Sequence, residues 1–292
     1  MKKVKISFNL MLTIVTALGF LSACQPDDVG SGNGILGPEL DASFTVTAVA
    51  NQTNTFTLKA VATNYIGSKW DFGKGGGTTT GKSEETVSYP DKGTYTVTHT
   101  AVGIGGQSYS SSQDIIVDTS DPIAGNIIQG GKFESADDWS KWNILNITPV
   151  SGSAFWAFTP GSATVSFPDP GNQAIYQAID VDADTNYSID MQVSSPNGIN
   201  LMWFEVYCLP QVPAQGSDYG NVGAEGVWGL NYWVGCGRTP FNGLLSDLSC
   251  VGKFHGIVSF PTSGTVYLVI KAGCQISGNT VTIKNVEMRR IS

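Results

Sequence analysis

Helical periodicity is missing from this sequence. Outside the first two dozen positions no stretch repeats apolar residues at i, i+3, i+4 and i+7, which excludes a helical bundle. Basic charge is also scarce: of 292 residues, 16 are Lys or Arg against 24 Asp or Glu, for a formal net charge of −8. Phosphate binding needs a basic surface, so this balance argues against a nucleic-acid partner. Only two histidines exist, His99 and His255, and no two of the five cysteines have CxxC spacing, so a metal site has little to build on. No GxSxG nucleophile turn occurs. What the chain does have is 35 Gly, 13 Pro and much Thr, Ser and Val in short alternating runs, the composition of an all-β protein long enough for two domains.

The first residues read as a targeting signal. Lys2, Lys3 and Lys5 precede the apolar run "ISFNLMLTIVTALGF", and "LSAC" at Leu21 to Cys24 closes it. The pattern resembles the bacterial lipoprotein signal and lipobox. It implies a signal peptide over residues 1–23, cleavage before Cys24, lipidation of that thiol and membrane attachment by acyl chains. An ordinary secretory signal with a chance Cys is the alternative. Losing three Lys and no acid moves the formal charge from −8 to −11. Asp27 and Asp28 in "QPDD" resemble the surface-export signal of Bacteroidota lipoproteins, which implies an outer-membrane protein facing the cell exterior. Residues 24–37 are polar and Gly-rich and read as a flexible tether. Cys208, Cys236, Cys250 and Cys274 form an even set in an exported chain and predict two disulfides, with all three pairings open.

Residues 38–118 predict a small sandwich of short strands. "SKWDFGKGG" (Ser68 to Gly76) followed by "VSYPDKGTYTVTHTAVG" (Val87 to Gly103) resembles the PKD domain, an immunoglobulin-like module, with Lys74 where members carry an acidic residue. The resemblance implies a structural role: Trp70 plugs the core, Tyr95 sits near a bend, and the module is a spacer that lifts the rest of the chain from the membrane.

Residues 122–292 hold six of the seven tryptophans. "NIIQGGKFESADDWSKW" (Asn126 to Trp142), "AIYQAIDVDADTNYSIDMQV" (Ala174 to Val193) and "VTIKNVEMRRI" (Val281 to Ile291) resemble, in order, segments of family 4 type carbohydrate-binding modules. The implied fold is a larger β-sandwich of jelly-roll type. Such modules often hold a structural calcium with the turn Glu, here Glu134, and a last-strand Asp. Lys284 occupies the latter place, and an ammonium repels the ion, so that site is expected to be absent or rebuilt, and no cofactor is expected.

In "GINLMWFEVYCLP" (Gly198 to Pro210) the β period puts Met202, Phe204, Val206 and Cys208 on one face and Trp203, Glu205 and Tyr207 on the other. A tryptophan, a carboxylate and a tyrosine in a row suit a surface that stacks on pyranose rings and hydrogen-bonds hydroxyls. The alternative is that Trp203 and Trp233 fill space beneath a long loop. Trp228, Asn231, Tyr232, Trp233 and Arg238 in the Gly-rich "GAEGVWGLNYWVGCGRTPFNG" extend the candidate set, although the glycines leave the face of Trp228 open between core and ligand, and Trp142 and Trp156, which could lie on either side, join it. The resemblance implies that Trp139 is buried, and Phe155 and Phe158 read as core.

Hydrolysis would need paired carboxylates, Glu205 with Asp218 or Glu225, or a triad using His255. No compact acid cluster supports either, so no enzyme is expected. Adhesion to a protein partner is a third reading. The whole layout resembles the surface glycan-binding proteins of Bacteroidota. That resemblance implies capture of a neutral polysaccharide, a β-glucan such as laminarin or mixed-linkage glucan first, for an outer-membrane importer complex.

Overall fold

The structure is a computed structural model that describes residues 39–147, 154–220, 227–252 and 256–291. The signal peptide, Cys24, the tether, Glu225 and His255 lie outside the described residues. The chain divides into two compact units: residues through Ser88 with Gly93–Val117, and Tyr89–Lys92 with Asp118 onward.

The first unit contains β1 (Phe44–Ala48), β2 (Thr55–Ala60), β3 (Gly67–Asp71), β4 (Thr79–Gly81), β5 (Glu84–Ser88), β6 (Gly93–Val102) and β7 (Ser108–Val117). They pair into a sheet of order β1-β2-β5 and another of order β4-β3-β6-β7. Trp70 is fully buried, with Phe44 edge-on at 5.2 Å and the His99 ring at 4.3 Å. It is the expected core plug. His99 is equally buried, and both its ring nitrogens are used, at 2.8 Å from Ser68 Oγ and 2.8 Å from Ala42 O. It is therefore a satisfied core histidine. The turn after β3 needs its glycine: at Gly73, φ is +71° and a Cβ would lie 2.7 Å from Thr96 O.

The second unit contains β8 (Asn143–Asn146), β9 (Phe155–Thr159), β10 (Ser162–Ser166), β11 (Gly171–Val181), β12 (Asn186–Ser195), β13 (Met202–Leu209), β14 (Val227–Asn231), β15 (Phe241–Leu244), β16 (Ile257–Ser259), β17 (Gly264–Cys274) and β18 (Thr280–Ile291). One sheet runs β15-β12-β18-β10-β9, with β16 also on β12, and the other runs β14-β13-β17-β11-β8. The all-β class with two sandwiches is as expected. Met202, Phe204, Val206 and Cys208 of β13 do face the core, beside Val266, Leu268, Ile270, Ala272 and Cys274 of β17. Each such side chain contributes roughly 1.5–3 kcal/mol of burial, and that commitment fixes which face of β13 points out.

Several expectations are corrected. Trp228, Trp142 and Trp156 are 1%, 6% and 7% exposed and belong to this core, so none is available to a ligand. Trp228 stands opposite the inward-facing Val206. Trp142 packs 5.6 Å from Phe133 and donates its indole N–H to Gly130 O, and Trp156 donates to Gln173 O. Phe155, expected in the core, is 44% exposed. Trp139 and Phe158 pack against the core as expected.

The cysteines are a further correction. Cys236 is bonded to Cys250, while Cys208 and Cys274 are buried free thiols. Cys208 pairs with Leu268 and Cys274 with Met202. They thus sit six ladder positions apart, about 20 Å along the sheet, whereas a disulfide needs Cα atoms within about 7 Å. Glu134 and Lys284 are both exposed.

Candidate functional site

The outer face of the β14-β13-β17-β11-β8 sheet splits into a covered half and an open half. Across it Trp203 lies between Asn231 and Gly273, Glu205 between Gly229 and Lys271, and Tyr207 between Val227 and Val269. The segment 209–220 crosses the Tyr207 end like a strap. Beneath it Tyr207, Tyr219, Val269, Ala174 and Leu145 form a second apolar cluster. Tyr219 meets Tyr207 edge-on at 5.9 Å and donates its hydroxyl to Gln211 O at 2.8 Å. Tyr207 is therefore 4% exposed, a correction to its expected place as a ligand-facing ring. What remains of it at the site is an edge.

At the other end the face is open. A depression of about 380 Å³ is lined by Trp203, Glu205, Asp218, Asn231, Trp233 and Gln275, with Lys271 and Tyr207 at its floor. Trp203 lies flat on the backbone of Gly273, where a Cβ would meet the indole at 2.0 Å. Trp233 lies 6.0 Å from Trp203, centroid to centroid, with the ring planes 44° apart. Trp233 is 46% exposed.

Local sequence explains why Trp233 is presented there. Tyr232–Val234 form one turn of 3-10 helix, capped by Asn231 Oδ1 accepting from Trp233 N at 2.9 Å and ending at Gly235. Asn231 N donates to Cys236 Sγ at 3.2 Å, and Cys236 is bonded to Cys250, whose N–H donates to Gly229 O at 3.1 Å. The disulfide thus ties the turn to the end of β14. Tyr232 and Arg238 lie outside the depression, which corrects their expected role. Tyr232 is edge-on to Trp233 at 5.8 Å, and the Arg238 guanidinium covers Tyr232 at 4.6 Å while its Nε donates to Tyr232 O. They brace Trp233.

Lys271 is the residue that sequence reasoning missed. It is 2% exposed, and its Nζ donates to Asp218 Oδ1 at 3.0 Å and Tyr219 O at 3.0 Å and pairs with Glu205 Oε2 at 3.3 Å. It also stands 5.1 Å above the Tyr207 ring. The Tyr207 hydroxyl donates to the same Glu205 oxygen at 2.8 Å. Burial first, then the Glu205 charge, pushes that hydroxyl well above the ordinary tyrosine range, so it stays a donor. The only signal in the sequence was a lysine inside the otherwise apolar "VYLVIKAGC", where alternation places it on the outer face.

Glu205 and Asp218, one of the carboxylate pairs that hydrolysis would need, do come together, but around one ammonium. Glu225 and His255 fall outside the described residues. Among the described residues no group of three or more His, Cys, Asp or Glu is placed to hold a metal ion. The arrangement offers two indole faces, a carboxylate and two side-chain amides, which suits stacking on a sugar ring with hydrogen bonds at its rim.

Residues 33–113 match the PKD domain family. Among solved structures, the PKD1 domain of the Vibrio cholerae metalloprotease PrtV is 30% identical over 27% of this chain and 95% of that one, with a TM-score of 0.24. A carbohydrate-binding module of the β-sandwich superfamily is 16% identical over 85% of this chain and 97% of that one, with a TM-score of 0.32. A family 4 carbohydrate-binding module is 14% identical over 56% of this chain and 99% of that one, with a TM-score of 0.33. No curated protein sequence matches the chain.

Proposed function

We propose that this chain, whose first folded unit is a PKD domain, is a non-catalytic glycan receptor that captures a neutral polysaccharide at the cell surface through the Trp203–Trp233 depression. The observation that carries the reading is the pair of tilted indoles beside Glu205, Asn231 and Gln275 in an open depression. Exposed aromatic area of this kind is costly to leave in water unless something binds it.

Three features define the ligand. The cation in the depression, Lys271, is engaged by Glu205, Asp218 and Tyr219 O. An anionic sugar would therefore meet acids rather than a free base, which favours a neutral chain. Ring centroids 6.0 Å apart leave no room for a pyranose between the indoles, since each contact needs about 3.5–4 Å. A glycan instead lies across both rings and turns with their 44° tilt. That favours a curved β-1,3 or mixed-linkage glucan, such as laminarin, over a flat β-1,4 ribbon. Each stacked ring contributes about 0.5–1.5 kcal/mol beyond its buried area, which sets single-site affinity in the micromolar to millimolar range. Avidity along a polymer adds to it.

In this proposal Cys24 carries the lipid anchor at the outer membrane, the PKD unit is a spacer, and the captured glycan passes to an outer-membrane importer. No chemistry is performed. The test is electrophoresis of the full-length protein through gels holding laminarin, mixed-linkage glucan, xylan, mannan or alginate, beside Trp233→Ala. Retardation by a neutral glucan that Trp233→Ala loses, with its melting curve intact, supports the reading. Retardation by no glycan overturns it and leaves a protein partner as the leading alternative.

A further inference from the structure

We infer that Lys271 is the positioning residue of this site, and that its ammonium sets the depression's floor and wall at once by holding Glu205 of β13 and Asp218 of the strap. The inference rests on the glycan reading for its functional consequence, but not for its structural one.

A lysine that is 2% exposed has lost its hydration, and a buried charge is retained only where its donors are satisfied. All three are: Asp218 Oδ1 at 3.0 Å, Tyr219 O at 3.0 Å and Glu205 Oε2 at 3.3 Å. Two of those acceptors belong to the strap and one to the sheet. The ammonium is therefore a bolt between them, in the row where Lys271 stands opposite Glu205 on one side and Ala174 on the other. The Tyr207 hydroxyl and Lys271 both engage Glu205 Oε2, which orients the carboxylate with one oxygen committed inward. Its side chain retains 16% exposure toward the depression, where a sugar hydroxyl can reach it.

The groups facing Lys271 among the described residues are Glu205 and Tyr207 from β13 and Asp218 and Tyr219 from the strap; Ala174 on β11 brings no charge. Removing the ammonium thus leaves two carboxylates that met at one nitrogen. With no counter-charge between them the two carboxylates repel, which lifts the strap from the sheet, and salt screens that repulsion. A residue that merely filled space would not produce that salt dependence.

The experiment compares wild type with Lys271→Met at neutral pH in about 0.02 M and about 1 M salt in two readouts: hydrogen exchange of peptides spanning 209–220 and affinity for laminarin. Wild type is expected to show the same strap exchange at both salt concentrations. Lys271→Met is expected to exchange the strap roughly 10-fold faster in low salt than in high salt and to lose roughly 10-fold in affinity in low salt, as for one charge-assisted contact. Unchanged strap protection in Lys271→Met overturns the inference. Should that variant not fold, Asp218→Ala replaces it, because the Asp218 side chain is 40% exposed. Faster strap exchange supports the bolt, and wild-type protection refutes it. A wild type that binds no glycan while Lys271→Met still loosens the strap sinks the glycan reading alone. A binding wild type matched by Lys271→Met in both readouts sinks the inference alone.

Discussion

Trp203 lies against the bare backbone of its cross-strand partner Gly273, so close that a methyl group at 273 would sit 2.0 Å from the indole. The glycine is what allows the ring to lie flat on the sheet. Gly273→Ala is expected to tip Trp203 away, with a cost of about 1–3 kcal/mol for overpacking. Laminarin affinity should fall, and the near-ultraviolet circular dichroism of the tryptophans should change while the far-ultraviolet spectrum holds. An unchanged affinity would mean that the flat pose of Trp203 has no part in binding.

Trp228 and Trp233 lie five residues apart, yet opposite outcomes are expected from removing them. Trp228 is 1% exposed within the core, so Trp228→Ala should cost about 3–5 kcal/mol and lower the melting temperature sharply. Trp233 is 46% exposed, so Trp233→Ala should leave stability within about 1 kcal/mol of wild type. Thermal melts of the two variants side by side check this, and equal losses would refute the assignment of faces.

The thiols give an alkaline prediction. Burial pushes the Cys208 thiol up to about 12 from an ordinary 9.0. The folded state therefore keeps a proton that the unfolded chain releases above about pH 9. The sign follows directly: the contribution is fully present below the unfolded value and is lost as pH rises toward the folded one. The loss is about 1.4 kcal/mol per pH unit for one group. Tyr207 and Tyr219, both raised chiefly by burial, act in the same direction above their ordinary value of 10. Denaturant melts between pH 8 and 11 should show stability falling across that window. Alkylation at pH 8 should label Cys208 only after unfolding. Labelling of Cys208 in the native protein would refute its burial.

Much of the fold was legible because the information is local. A strand alternates its side chains by covalent geometry, so "MWFEVYC" separates into a core face and an outer face without reference to any other residue. Trp70 and Trp139 were legible for a different reason, since each stands in a segment that resembles a family in which that position is buried. Trp228 was not, because the glycines around it break the phase from which a face is read. The disulfide was not legible either: register decided it, by setting Cys208 and Cys274 at opposite ends of one strand pair.

By itself, then, the sequence determined an all-β chain, a first unit that matches the PKD domain family and an outward stripe of Trp203, Glu205 and Tyr207. Only the tertiary structure decided what that stripe is. The strap brings Tyr219 over Tyr207 and Asp218 to Lys271, closing one half of the face and leaving Trp203 and Trp233 open in the other. The physical reason is range. Alternation acts between neighbours in the chain, whereas the bond from Lys271 to Asp218 joins residues 53 positions apart and exists only once the strap lies on the sheet.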